Sequence, residues 1–219
     1  MVFLMNEDII ARTESFVKEV LGEDSTGHDW YHIERVRKNA LYIAENENRG
    51  NLFIIEMAAL LHDIPDEKLN ESKEAGEKKL TDFLESLTLE QDIQEKIIEI
   101  IGSISFKGGR KMELMSMEAE IVQDADRLDA IGAIGIGRTF AFGGKKGHLL
   151  YDPMIKVREA MTEKEYRNGK SSTIHHFYEK LLKLKELLNT DTAREMAERR
   201  HQFMEQFLEQ FYSEWNGQS

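Results

Sequence analysis

The amino-acid sequence predicts an all-α protein. Only two of its 219 residues are proline, so little interrupts long helical segments. Apolar residues recur at the three- and four-residue spacing of an amphipathic helix over most of the chain. A run of at least five residues that alternates between apolar and polar side chains, as in a half-buried strand, is missing from the sequence. Together these observations favour a helical bundle.

The first part of the chain predicts a series of helices. An apolar stripe that includes Phe16 and Val17 marks the first helix, and Ile33 and Val36 begin a similar stripe in the second. The third is apolar almost all round, which is typical of a buried central helix, and Pro65 follows its expected end. The expected helices cover residues 6–21, 24–47, 51–63, 73–86, 88–104 and 116–134, with Thr88 and Gln91 as a capping box for the fifth.

Two glycine-rich and locally basic segments interrupt this pattern, at residues 105–111 and 137–153. Between Arg138 and Leu150 there is no acidic residue, although the chain as a whole is acidic. We interpret both segments as loops, the second as one that could close over a ligand through its glycines. Two further helices are expected over residues 171–188 and 191–215, and the second of these could mediate self-association through its apolar side.

The composition limits the classes of function. The hydrophobic fraction of 41% and the charged fraction of 32% are typical of a soluble folded protein, and the absence of cysteine excludes disulfides and thiolate metal sites. The net charge of −12 argues against a nucleic-acid polymer as partner. Neither a signal peptide nor an apolar run long enough to cross a membrane is found, so we expect a cytoplasmic protein.

Histidine and acidic residues open the second predicted helix. If that helix includes His28, then His28 and His32 lie four residues apart on one face, and Arg35 follows on the same side. Asp29 is placed either to orient the His32 ring or to complete an N-terminal cap that Thr26 begins. A lone helical histidine is more often structural than a ligand, so His32 carries little weight by itself.

The pair His62 and Asp63 stands where the buried third helix should end. At a helix end an imidazole and a neighbouring carboxylate can turn toward one point, and they then offer a nitrogen and an oxygen to a divalent metal. The alternative is a polar helix end that binds its own unsatisfied carbonyl groups.

A third group of carboxylates lies in the segment "QDADRLDAIGAIGIG". Asp126 and Asp129 are three residues apart and share a helix face, whereas Asp124 points elsewhere. Their neighbours are apolar, and a buried carboxylate without a partner costs several kcal/mol, so a nearby cation is expected. The glycines at 132, 135 and 137 would allow close helix packing.

The motifs "HxxRV", "ALLHDIxDEK" and "QDADRLDAIGAIGI" resemble those of the HD-domain metal-dependent phosphohydrolases. The resemblance implies an HD-type all-α helical bundle as a single domain over 1–219, with its core at about 24–140 and C-terminal helices at about 154–215. It also implies one divalent metal ion, with Mn²⁺ as first choice and Co²⁺, Ni²⁺, Fe²⁺, Zn²⁺ or Mg²⁺ as alternatives. The implied metal ligands are His32, His62, Asp63 and Asp126.

In similar enzymes an acid shortly after the His-Asp pair positions the attacking water. Asp66 is the first candidate for this role and Glu67 the second, while Lys68 could neutralise a phosphate oxygen. Two-metal members of the family carry two further histidines between the His-Asp pair and the last aspartate. The present sequence has none between His62 and Asp126, which favours a mononuclear site.

The resemblance points to a small phosphorylated substrate, with nucleotides first and pyrophosphate release from nucleoside triphosphates as the specific hypothesis. The alternatives are a nucleoside 5'-monophosphate phosphatase, and a nucleotide-binding or sensing module that keeps the metal but performs no chemistry. A helical interaction protein is disfavoured, because three separate motifs would all have to be coincidental. The candidate substrate-binding residues are the basic or imidazole side chains His28, Arg35, Arg138, Lys145, Lys146 and His148.

Overall fold

The computed structural model describes residues 2–22, 29–67, 69–104, 114, 116–158 and 171–218, with side chains from residue 6 onward. Every regular element of these residues is a helix, which confirms the predicted all-α class. None of the helices in these ranges is long and apolar enough to cross a membrane. The described residues form two compact units, one within 1–105 and 113–125 and the other within 126–219.

The first unit is built around a short central helix. Helix α3 buries the side chains of Ile55, Met57 and Leu60 completely and packs against α1, α2 and α5. Helix α4 packs against α5, and Phe16 of α1 stacks on Phe83 of α4 with ring centroids 3.9 Å apart. The helices of this unit are α1 (Val2–Leu21), α2 (Trp30–Glu47), α3 (Leu52–Leu61), α4 (Lys73–Glu85) and α5 (Gln91–Ile104), and α6 (Met117–Asp129) begins in it.

Side-chain caps fix where three of these helices begin. Asp29 accepts the backbone N–H of His32 at 2.8 Å and so caps α2. Asn51 caps α3 by accepting from Phe53 N and Ile54 N, and Ser72 caps α4. Each cap satisfies backbone donors that the first helical turn leaves unpaired. Of the two roles predicted for Asp29, the structure shows the cap, while Thr26 lies outside the described residues.

The second unit places a long C-terminal helix against shorter ones. Phe177 stacks on Phe207 with ring centroids 5.7 Å apart, and Phe140 contacts both rings. Further along, Tyr151 contacts Phe211 and Trp215 edge-on. The helices of this unit are α7 (Gly132–Lys145), α8 (Thr173–Glu179), a 3₁₀ helix (Leu181–Leu187) and α9 (Asp191–Trp215), and α6 ends in it.

A set of buried and partly buried ionisable residues lies in this unit. The Arg158 guanidinium donates to both carboxylate oxygens of Glu179, at 2.7 Å each. Burial lowers the pKa of His176 from 6.5 to about 4; Lys180 adds to that shift and Glu179 opposes it. His175, its neighbour in α8, is buried with Nδ1 at 2.8 Å from Ser172 Oγ. These interactions agree with a structural role for the two histidines.

The predicted fifth helix begins later than expected. It starts at Gln91, and both Ile93 N and Gln94 N donate to Glu90 O, so Thr88 and Gln91 form no capping box. Instead Gln94 folds its side chain back to Leu89 O at 3.0 Å. A capping pattern fixes a helix start only when the backbone enters at that residue, and here it enters two residues later.

The segment predicted as one helix over 116–134 is two helices. Helix α6 ends at Asp129, and Ala130 N and Ile131 N close its last turn on Arg127 O and Leu128 O. Gly132 then adopts a φ of +73°, and a Cβ there would lie 2.9 Å from Cβ of Arg200 in α9. Glycine is therefore required where the chain turns between α6 and α7.

The predicted loop at 137–153 is wrong over its first part, because residues up to Lys145 are helical. Phe140 packs against Phe177 and Phe207, and this packing outweighs the low helix propensity of the glycines. Gly143 is not a hinge: a Cβ there would lie 2.4 Å from Oγ1 of Thr173 in α8. Likewise, the helix expected over 171–188 is divided at Lys180 into α8 and the 3₁₀ helix.

Candidate metal centre

Three predicted ligands meet inside the first unit. His32 Nε2 lies 3.4 Å from Asp63 Oδ2, and His62 Nε2 lies 3.5 Å from Asp63 Oδ1. One potential ligand atom from each residue falls within a group in which no two atoms are more than 4.8 Å apart. The side chains are 2%, 5% and 13% exposed for His32, His62 and Asp63 respectively.

Local structure explains why these side chains converge. His32 lies in the first turn of α2, where the Asp29 cap fixes the backbone. His62 is the C-cap of α3 and keeps right-handed helical φ and ψ, and Asp63 belongs to the turn that follows, so the two lie where the regular helix ends. Helices α2 and α3 pack against each other, which brings His32 to the end of α3. The side chains of His62 and Asp63 thus lie together at a helix end, and their role as metal ligands stays a prediction.

One ring nitrogen of His62 is fixed by the backbone. Nδ1 lies 2.8 Å from the carbonyl oxygen of Ala59, an acceptor in the last turn of α3. A carbonyl can only accept, so Nδ1 carries the proton and Nε2 presents its lone pair on the side of Asp63. Metal-ligating histidines commonly use their second nitrogen in this way.

The three side chains fit a divalent metal ion. Ligand atoms that share one ion at about 2.0–2.2 Å are separated from each other by about 3–3.5 Å. The distances of 3.4 Å from His32 Nε2 to Asp63 Oδ2 and of 3.5 Å from His62 Nε2 to Asp63 Oδ1 lie in that range, each to a different oxygen of the carboxylate. Two imidazole nitrogens and one carboxylate oxygen are a donor set suited to Mn²⁺, Fe²⁺, Co²⁺, Ni²⁺ or Zn²⁺. The residues present could therefore hold such an ion.

The fourth predicted ligand, Asp126, lies on α6 and is the first residue of the second unit. It remains a predicted ligand. Its neighbour on the same helix face, Asp129, is buried and pairs with Arg138, whose Nη1 lies 2.6 Å from Asp129 Oδ2. The cation expected near these carboxylates is thus an arginine in the case of Asp129.

The acid-bearing turn follows the metal cluster directly. Asp66 N donates to Asp63 O and Leu69 N donates to Asp66 O, each at 3.0 Å, so Asp63 and Asp66 belong to the same hydrogen-bonded turn. Asp66 is partly buried and Glu67 is exposed. Lys68 lies outside the described residues. The catalytic roles of the three stay predictions.

The predicted substrate-binding residues have diverse surroundings. Arg35 is partly buried on α2, while Arg138 donates to Asp129. Lys145 and Lys146 end α7 and are exposed, with Lys146 Nζ 5.8 Å from the centre of the Phe142 ring. The exposed His148 contacts Phe142 edge-on. His28 lies outside the described residues.

The sequence interpretation missed two residues next to the acid-bearing turn. The Asn70 side chain donates to Ile64 O and Asp66 O, and Lys79 Nζ donates to Asn70 Oδ1. Neither residue type is distinctive, and Lys79 is nine positions from Asn70. Gly76, the only glycine of α4, was the available signal, because it marks a place where another part of the chain approaches the helix closely.

Comparisons with known proteins agree with this geometry. The sequence profile of the HD domain matches residues 29–131. The protein YpgQ of Bacillus subtilis is 43% identical over 195 residues, which cover 88% of this chain and 87% of YpgQ.

Solved structures are similar over nearly the whole chain. A crystal structure of an HD-superfamily hydrolase from Bacillus thuringiensis is 52% identical, with a TM-score of 0.77 and coverage of 96% of this chain and 98% of the other. A crystal structure of Bacillus subtilis YpgQ in complex with ADP is 39% identical, with a TM-score of 0.78 and 96% coverage of both chains.

Proposed function

Because this chain belongs to the HD-domain family, we propose that it is a metal-dependent phosphohydrolase that acts on a nucleotide. The observation that carries the proposal is the cluster of His32, His62 and Asp63, whose ligand atoms lie within 4.8 Å of one another. The similarity to an HD-superfamily hydrolase at 52% identity supports hydrolysis as the reaction class. A module that binds metal without chemistry would have no use for an acid on the same turn as a metal ligand.

The proposed roles follow the geometry of the first unit. His32, His62 and Asp63 would hold the ion, with Asp126 as the fourth ligand. A divalent ion there supplies Lewis acidity, which polarises a phosphoryl oxygen and lowers the pKa of water. Asp66 accepts a proton from the attacking water, with Glu67 as second candidate, and general bases contribute roughly 10²–10⁴-fold to such reactions. Lys68 would neutralise charge on the phosphate.

The proposed substrate class is supported by similarity to a solved structure, and not by the metal cluster. YpgQ, which is similar over 96% of this chain, was crystallised in complex with ADP. A nucleoside polyphosphate is therefore the class of substrate that we propose, and the specific reaction is hydrolysis of a nucleoside triphosphate. Water attacks the α-phosphorus, the bond to the bridging oxygen breaks, and a nucleoside monophosphate and pyrophosphate leave.

The test is to load the protein with Mn²⁺, incubate it separately with ATP, ADP and AMP, and identify each phosphorus product by ³¹P NMR. We expect AMP and pyrophosphate from ATP. Orthophosphate and adenosine from AMP would instead support a nucleoside monophosphate phosphatase. If the metal-loaded protein hydrolyses none of the three while His62→Ala and parent bind ADP equally well, the proposal for nucleotide hydrolysis is wrong.

A further inference from the structure

The turn that carries Asp66 is held from outside by a two-residue contact. Asn70 Nδ2 donates to Ile64 O at 2.8 Å and to Asp66 O at 2.9 Å, so one amide group binds the carbonyls on both sides of Pro65. Lys79 Nζ lies 2.6 Å from Asn70 Oδ1. An ammonium group can only donate, so Lys79 keeps the amide oxygen on its own side and directs the amide NH₂ to the turn.

Helix α4 lies close enough to make this contact because of a glycine. A Cβ at Gly76 would lie 2.7 Å from Pro65 O and 2.8 Å from Asn70 Nδ2. The same helix carries Lys79 one turn later. Asn70 and Gly76 therefore lie against the backbone of residues 64–66, and Lys79 contacts Asn70.

The held backbone connects the proposed base to a metal ligand. Asp66 N donates to Asp63 O at 3.0 Å, and Asp66 O accepts from both Leu69 N and Asn70 Nδ2. Pro65 has no N–H and adds no hydrogen bond of its own. The amide of Asn70 thus supplies two of the hydrogen bonds that fix the peptide groups next to Asp66. A misplacement of about 1 Å at a catalytic group can cost about 100-fold in rate, so such restraint matters.

We infer that Asn70, oriented by Lys79, is a positioning residue. It holds the backbone of Asp66 in the position relative to Asp63 that catalysis requires. The inference deepens the proposed function and rests on it, since it assumes that Asp66 acts on the attacking water. Asn70 and Lys79 also line an open pocket of about 460 Å³ together with Leu69, Glu71 and Ala75. Direct contact with substrate is the competing explanation, and it would raise KM, whereas a positioning role lowers kcat.

The decisive variants are Asn70→Asp and Asn70→Leu, which have similar volume but lack the two N–H donors. We expect both to keep bound Mn²⁺ and helical circular dichroism, and to lower kcat at least tenfold with KM changed less than threefold. The substrate is whichever of ATP, ADP and AMP the parent hydrolyses fastest. Agreement between the charged and the neutral variant separates loss of the donors from a new charge near Asp66.

Lysine variants provide a matched pair on α4. Lys79→Met should lower kcat three- to tenfold, and Lys79→Arg, which keeps a group that only donates, should restore most of it. Lys78→Met is the control, because Lys78 is exposed and pairs with Asp82 at 2.6 Å instead. An equal effect of Lys78→Met and Lys79→Met would overturn the assignment of Lys79.

A kinetic double-mutant cycle tests whether Asn70 acts through Asp66. Asp66→Asn should keep metal and lose at least tenfold in kcat, and adding Asn70→Asp or Asn70→Leu should then cost less than a further twofold. If Asp66→Asn keeps full activity, the proposed role of Asp66 is wrong, and the inference fails with it. If Asp66→Asn is impaired but Asn70 variants are fully active or raise only KM, the inference alone is overturned.

Hydrogen exchange gives a readout that does not depend on activity. The Leu69 amide, which donates to Asp66 O, should exchange at least tenfold faster in Asn70→Leu than in the parent. Unchanged exchange would show that the turn keeps its structure without Asn70, and would overturn the positioning role.

Discussion

His62 uses its two ring nitrogens differently. Nδ1 binds the Ala59 carbonyl at the end of α3, and Nε2 lies 3.5 Å from Asp63. The first contact also satisfies one of the carbonyls that a helix C-terminus leaves without an intrahelical donor. The ring therefore contributes to the helix end and to the metal cluster, so a substitution there changes both.

At this scale we predict that His62→Ala and Asp126→Ala lose the bound metal ion and all metal-dependent hydrolysis. Removing one of the four proposed ligands opens the coordination shell, while loss of the His62 contact with Ala59 O affects only the end of α3 and leaves most of the helical structure in place. Mass spectrometry measures whether the metal ion is lost, and far-ultraviolet circular dichroism measures whether the helical structure is retained. An Asp126→Ala protein that retains full metal and activity would remove this aspartate from the site.

The sequence pointed to the residues of the cluster but not to their support. His62 and Asp63 attracted attention as an imidazole and a carboxylate at a helix end, whereas His32 became a candidate ligand only through the resemblance of its motif to the HD-domain phosphohydrolases. Asn70 and Lys79 could not be predicted, because amide and ammonium groups are common on surfaces and their role depends on how α4 lies against the turn. That placement is a tertiary contact, marked in the sequence only by Gly76.

At the scale of elements, a glycine-rich composition led to a wrong prediction for a helix that is stabilised by packing. The glycines at 137, 143 and 144 suggested a loop, yet these residues belong to α7, because Phe140 packs against Phe177 of α8 and Phe207 of α9. By contrast, α9 was predicted with its observed bounds, since twenty-five residues of uninterrupted amphipathic pattern leave little choice. A helix with a long amphipathic pattern can be predicted from its own sequence. A glycine-rich helix cannot, because its stability depends on the helices it packs against.

Two glycines of α7 make this difference measurable. Gly143→Ala should destabilise the protein by about 1–3 kcal/mol, because the new Cβ meets Thr173 Oγ1 at 2.4 Å and forces α7 away from α8. Gly137→Ala should instead stabilise it by up to about 1 kcal/mol, because nothing lies within 4 Å and alanine favours the helix. Urea unfolding of both variants and the parent is the measurement. Equal destabilisation by both would contradict a packed helix here.

Helix α8 should give the protein a specific acid sensitivity. Burial lowers the pKa of His176 to about 4, so between pH 6.5 and 4 the unfolded chain binds a proton at this ring and the folded chain does not. The contribution of this ring to the free energy of unfolding is therefore complete above pH 6.5. It is lost as the pH decreases toward 4, and the loss is up to about 3 kcal/mol.

His176→Gln should remove that part of the pH dependence. Comparing its urea midpoint with that of the parent from pH 7 to pH 4 isolates the contribution of this ring. Parallel stability curves for parent and His176→Gln would contradict the prediction.

At the scale of the whole molecule, the net charge of −12 opposes the approach of a polyanion. Lys145 and Lys146 lie at the end of α7, where the helix dipole also favours cations. We predict that Lys145→Ala/Lys146→Ala raises KM for ATP more than for AMP, because the extra phosphates are the groups these lysines would attract. The difference should shrink as salt rises, since exposed charges are screened over about 8 Å at physiological ionic strength.

A matched control removes the same two charges elsewhere. Lys73 and Lys78 are exposed lysines of α4 that pair with Glu77 and Asp82. If Lys73→Ala/Lys78→Ala changes KM for ATP as much as the α7 variant does, total charge is responsible and not the position of Lys145 and Lys146. Equal KM values in the α7 variant and the parent for ATP, ADP and AMP would leave these lysines without a role in binding.

The packing of α2 against α3 also affects the order in which parts of the chain fold. His32, His62 and Asp63 are separated by at most 31 positions; His32 lies on α2, and His62 and Asp63 directly follow α3, the next helix in the chain. Contacts between close neighbours in sequence form early, because little chain entropy is lost in closing the loop between them. On the ribosome, Asp63 is added to the chain 63 positions before Asp126. We therefore expect three of the proposed metal ligands to be in the nascent chain before Asp126 is added, with α2 and α3 as the first part of the molecule that a metal ion could stabilise.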